Sequence, residues 1–121
     1  MVKVIHETQR TFSLARYVAH HQQVLFRSAR GEGGSDRVDI VFRGAQYINL
    51  STLIYEYFTI YRLSPAEFAS LAGRFYEPVA GDLNYYGVGG SEVMGLVAAL
   101  TFDEHHDDKD EWDPSEILEG G

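Results

Sequence analysis

His105 and His106 stand inside a run of acids, with Asp103-Glu104 before them and Asp107-Asp108 after. Imidazole and carboxylate together suit Zn²⁺ or another divalent ion, and His105, His106 and Asp107 form the candidate ligand set. Adjacent residues of an extended chain point to opposite sides, so only one of the two imidazoles readily joins a given site. The spacing matches no HExxH helix and no paired-cysteine pattern. The chain has no Cys, which excludes a disulfide scaffold, a thiolate metal site and a cysteine nucleophile.

The same acids carry a second chemistry. Residues 103–121 hold nine carboxylates against one base, Lys109, while residues 1–102 balance nine acids with nine bases. The whole formal charge of −8 therefore belongs to the C-terminal segment. A concentrated carboxylate array engages a basic protein surface or occupies a basic groove in place of nucleic acid, or binds a hard cation through clustered oxygens. Its bland alternative is a solubilising tail. The candidate partner-binding residues are Asp103, Glu104, Asp107, Asp108, Asp110 and Glu111, with Trp112 as an aromatic anchor.

Other chemistries find less support. Tyr55, Tyr57, Tyr85 and Tyr86 offer a ligand-binding face, and Gly87 to Ser91 a loop lining a pocket beside the last two. Neither glycine-rich run, 31–34 or 87–90, has a phosphate-loop arrangement. No GxSxG elbow is present and no spacing singles out a pair of body carboxylates, so no catalytic residue is assigned and no cofactor is expected. Six arginines fall within residues 10–43 against three acids. The net charge opposes a nucleic-acid ribbon there. An intramolecular role, in which the acidic segment lies across this arginine-bearing hairpin, is an alternative to scattered surface charge.

These residues need a scaffold, and 121 residues with 45% hydrophobic content suffice for one domain with a core. Val24 to Ala29 and Arg37 to Arg43 alternate at a period of two and flank the glycine-rich run at 31–34, which makes a β-hairpin. Gln46 to Leu50 and Leu53 to Leu63 read as further strands, the latter with Tyr55, Tyr57, Thr59 and Tyr61 on one face. Ser64-Pro65-Ala66-Glu67 is a capping box with Pro at N1, and Phe68, Leu71, Ala72 and Phe75 give the following helix an apolar face. Gly73 at C′ ends this helix early, or it runs on to Phe75. Val93 to Phe102 tilts toward strand, its Gly95, Ala98 and Ala99 leaving room for something bulky to lie close. Asp113-Pro114-Ser115-Glu116, with a Trp112–Ile117 staple, announces a short terminal helix that docks the acidic segment.

The resulting expectation is an α+β fold: a mainly antiparallel sheet of about five or six strands, one principal helix at about 65–75, and a short C-terminal helix. Residues 1–102 form the domain and 103–121 the acidic extension. The first seven residues lack the apolar run of a signal peptide, and no apolar stretch reaches membrane-spanning length. A cytoplasmic protein without membrane or nucleic-acid partners follows. The functional expectation is a small non-enzymatic module that binds a basic protein, of the immunity or antitoxin-inhibitor kind. The alternatives are a small-ligand or metal-binding domain, enzymatic or not, using the tyrosines and His105 or His106, and a homo-oligomer subunit that pairs through aromatic strands.

Overall fold

The computed structural model describes residues 2–29, 36–50, 54–73, 82–109, 113 and 114. Among these residues are nine strands, one α-helix and a single 3-10 turn at Ala19–His21: β1 (Lys3–Glu7), β2 (Ser13–Val18), β3 (Gln23–Ser28), β4 (Arg37–Arg43), β5 (Tyr47–Asn49), β6 (Thr59–Leu63), α1 (Pro65–Ala72), β7 (Asn84–Gly89), β8 (Val93–Ala99) and β9 (Thr101–Asp107). The strands form two antiparallel sheets rather than one of five or six strands. One has the order β1-β6-β7-β8-β5 and the other β2-β3-β4-β9.

Alternation along each strand builds the layers. Val24 and Phe26 of β3 and Val38, Ile40 and Phe42 of β4 bury one face of the smaller sheet. They meet Ile60, Tyr86, Val88, Val97 and Ala99 from the larger sheet in a common core. Its aromatic rings touch across the sheets, Phe26 to Phe58 at 5.0 Å and Phe42 to Tyr86 at 5.2 Å between centroids. The opposite face of the larger sheet carries Tyr61, Leu63, Leu96 and Ala98, and α1 covers it through Phe68. Two sheets and a helix thus stack as three layers. Small Ala98, paired in register with Tyr47 and Tyr85, lets both rings pack against Phe68.

The capping box forms as the sequence requires. Ser64 Oγ accepts from the Glu67 N–H, and Glu67 returns the bond to the Ser64 N–H at 2.8 Å. Leu63 and Phe68 share one buried cluster, as a staple demands. The helix stops at Ala72, short of 75, because Gly73 takes φ +80 and its N–H bonds back to Ala69 O. The hairpin of β3 and β4 pairs in register from Gln23 opposite Arg43 to Ser28 opposite Val38.

Two expectations about strands need correction. Leu53 to Leu63 is not one strand, since only Thr59–Leu63 pairs with β1 and β7. Tyr55, bridged to Phe12, precedes a turn at Glu56-Tyr57 in which Tyr57 adopts φ +52. That turn puts both Tyr55 and Phe58 into the core, and an uninterrupted strand would have placed them on opposite faces. Val93 to Phe102 is likewise two strands, broken at Leu100, whose N–H bonds to Arg43 O as the chain passes from the larger sheet to the smaller. The glycine run of the hairpin, Phe75, the Trp112–Ile117 staple and the short terminal helix lie outside the described residues.

Candidate functional site

The acids at 103–107 are set into a strand. β9 pairs with β4 over its full length, from Thr101 opposite Arg43 to Asp107 opposite Arg37. Among the described residues it forms one edge of the smaller sheet. Its alternation divides the candidate residues between two faces. Phe102, Glu104 and His106 lie on the side of Phe42, Ile40 and Val38, whereas Asp103, His105 and Asp107 lie on the outer side with Arg37 and Arg43.

The outer side is a ladder of ion pairs. Arg37 is fully buried and makes a bidentate fork to Asp107, Nε to Oδ1 at 2.8 Å and NH2 to Oδ2 at 2.7 Å. Its remaining donors reach the Asp113 carbonyl at 2.7 Å and the Pro114 carbonyl at 3.3 Å. Arg27 forks onto buried Asp39 at 2.7 and 3.1 Å and also donates to the Asp113 carbonyl. Arg43 Nε meets Asp103 at 2.7 Å, a more exposed pair. Burial alone pushes the Asp107 carboxyl up, but the Arg37 hydrogen bonds outweigh it and hold the group below the ordinary carboxylate value. The described part of the acidic segment lies against the arginine-bearing hairpin, residues 103–107 paired with β4 and the Asp113 and Pro114 carbonyls on Arg27 and Arg37.

The inner side of β9 ends in a polar chain at the seam between the two sheets. His6 Nε2 of β1 and Glu104 Oε1 are 2.8 Å apart, and Glu104 Oε2 lies 2.8 Å from His106 Nε2. His106 Nδ1 continues to Asp36 at 2.7 Å, and Arg10 NH1 donates to the other Asp36 oxygen at 2.7 Å. The His106 hydrogen bond and then that of Arg10 hold the Asp36 carboxyl down to about 2. His106 is raised above the ordinary imidazole value by Glu104 first and Asp36 second.

The proposed metal ligands do not converge. His105 and Asp107 share the outer face, 3.7 Å apart, while His106 is on the inner face. Among the described residues no group of three or more His, Asp or Glu is arranged to hold a metal ion. The four tyrosines are also dispersed. Tyr55 and Tyr86 are buried between the sheets, Tyr85 packs on Phe68 beneath the helix, and Tyr57 is exposed. Of the seven expected partner-binding residues, Asp103, Glu104 and Asp107 are engaged within the fold, Asp108 follows β9, and Asp110, Glu111 and Trp112 lie outside the described residues.

A second region matches the sequence reading only in part. An open cleft of about 550 Å³ lies where β1 ends, beside the Tyr57 turn and the β7–β8 turn. Its walls include Glu7, Gln9, Tyr57, Thr59, Gly90 and Ser91. Gly90 and Ser91 belong to the loop expected to line a pocket, but the ring beside them is Tyr57 and not Tyr85 or Tyr86. The left-handed backbone at Tyr57 is the signal that would have found it, and a bulky residue type conceals that conformation.

Comparison with known proteins returns no matching family model, no similar curated protein and no similar solved structure. No described helix is long and apolar enough to cross a membrane.

Proposed function

We propose that this chain is a non-enzymatic protein-binding module whose acidic C-terminal segment engages a basic partner, in the manner of an immunity or antitoxin-type inhibitor. The observation that supports this reading is the anchorage of the charge. The −8 surplus begins on an edge strand that the Arg37–Asp107 fork fastens to the fold. By sequence, residues 103–121 hold nine acids against Lys109 alone; Asp107 and Asp103 pair with Arg37 and Arg43, Glu104 meets His6 and His106, and the segment keeps the chain's whole formal surplus of −8. Charge held at a defined place docks with less entropic cost than charge on a free tail, and it steers encounter with a basic surface. The charged side chains of β9 also guard the edge against strand addition, so recognition proceeds through side chains rather than backbone pairing.

The test is capture from the source cells. The intact chain should retain a basic protein at low salt and release it as salt rises. A variant carrying Asp108→Asn, Asp110→Asn and Glu111→Gln, none of them in the Arg37 or Arg43 pairs, should retain far less. Equal retention by that variant would overturn the proposal.

A further inference from the structure

We propose that the cleft beside Tyr57 is a binding site for an organic cation, a guanidinium or alkylammonium group. The site is built from both sides. Tyr57 is 64% exposed and holds its ring at the cleft with φ +52, a conformation that Gly or Asn adopts more cheaply than Tyr. Thr59 Oγ1 donates to the Tyr57 carbonyl at 2.8 Å and fixes that turn. On the facing wall, Tyr61 donates its hydroxyl to the Gly90 carbonyl. A Cβ on Gly90 would stand 2.6 Å from the Glu56 carbonyl oxygen, so only glycine lets the β7–β8 turn close against the Tyr57 turn.

The chemistry of the lining selects the ligand. The Glu7 carboxylate makes no hydrogen bond or ion pair to any described residue, and Glu92 nearby is equally unspent. Both are close enough to Tyr61 to help push its hydroxyl up, after burial. Among the described residues no Lys or Arg lines the cleft. An aromatic ring, an unspent carboxylate, the Gln9 amide oxygen and the Ser91 hydroxyl together match a planar or tetrahedral nitrogen cation, which takes the ring by cation–π attraction and the acid by charge-assisted hydrogen bonds. Such a cation comes either as a free small molecule or as an Arg or Lys side chain of a protein. The proposal uses no residue of β9, so its failure would leave the acidic-segment reading standing.

The experiment is a titration of the uniformly ¹⁵N-labelled full chain, followed by amide shifts. Three probes are compared: agmatine, the capped peptide Gly-Arg-Gly, and the same peptide with neutral citrulline in place of Arg. Saturable shifts at the amides of Tyr57, Gly90 and Ser91 are expected with at least one guanidinium compound, and at least roughly fivefold weaker binding with citrulline. Response to agmatine supports the site and identifies a free cation as sufficient. Response to the arginine peptide alone supports the site and points to a protein side chain. Glu7→Gln and Tyr57→Asn should each weaken binding by roughly fivefold. The second variant relieves the backbone and so keeps its fold, which makes a lost response interpretable. No saturable shift with either cation up to tens of millimolar, or an equal response to citrulline, overturns the proposal.

Discussion

Single residues in this molecule divide by burial more than by type. Arg37 and Arg43 both pair with acids of β9, but Arg37 is fully buried whereas Asp103, the partner of Arg43, is half exposed. Breaking a buried pair strands a desolvated charge, so Arg37→Met should cost about 3 kcal/mol or more. Arg43→Met should cost no more than about 1 kcal/mol. Urea midpoints of the two variants check the contrast. The His6–Glu104–His106–Asp36–Arg10 chain makes stability depend on pH. Asp36 is lowered from 3.8 to about 2, and its contribution is present above 3.8 and lost as pH falls toward 2. Glu104 is pushed up by burial but drawn lower overall by His106 and His6, so its contribution also fades in acid. His106 is raised, so its contribution is full below 6.5 and lost as pH climbs through its higher folded value. Stability should therefore peak between about 4.5 and 6.5 and decline toward pH 8.5. His106→Gln should flatten the alkaline decline, measured by unfolding at pH 6 and 8.5. An intact chain equally stable at both values would refute the linkage.

Among the elements, α1 is the one whose limits sequence chemistry states most fully. Ser64→Ala removes one half of the capping box and should cost about 1 kcal/mol. Thermal unfolding reads that loss directly. The β3–β4 hairpin was equally legible, since Val38, Ile40 and Phe42 alternate with Arg37, Asp39 and Arg43, with Val41 as the exception. β9 was not legible as a strand. Hydrophobic periodicity finds strands with one apolar face, and β9 is mostly polar on both: Glu104 and His106 face the seam, Asp103 and Asp107 face arginines. Its signal lay in charge complementarity with β4, visible in the sequence as arginines opposite a late run of acids. β1 was missed for a related reason, since five residues at an edge, with a bulge between Val4 and His6, leave too short a pattern. The tyrosine face failed because one left-handed residue, Tyr57, reset the alternation that had aligned Tyr55 with Tyr57. Neither the seam cluster nor the cleft is readable locally, because each joins side chains from strands far apart in sequence.

At the scale of the whole molecule, the acidic segment enters the fold as β9, an edge strand among the described residues, whose Asp103 and Asp107 pair with arginines of β4. The C-terminal segment contributes to stability as well as charge, since the carbonyls of Asp113 and Pro114 satisfy donors of buried Arg37. Truncation after Glu111 removes those acceptors and should cost roughly 1–3 kcal/mol in urea unfolding. An unchanged midpoint would mean that water replaces them without loss. The surplus acid beyond these contacts is what the proposed function uses. The most direct test is the affinity of the intact chain for the basic protein it captures, measured by calorimetry at 50 and 300 mM salt alongside the Asp108→Asn, Asp110→Asn, Glu111→Gln variant. Kd should weaken by about tenfold across that salt range, and by a similar factor in the variant at low salt. A Kd unmoved by salt and shared by the neutralised variant would contradict the claim that this acidic segment is the binding surface.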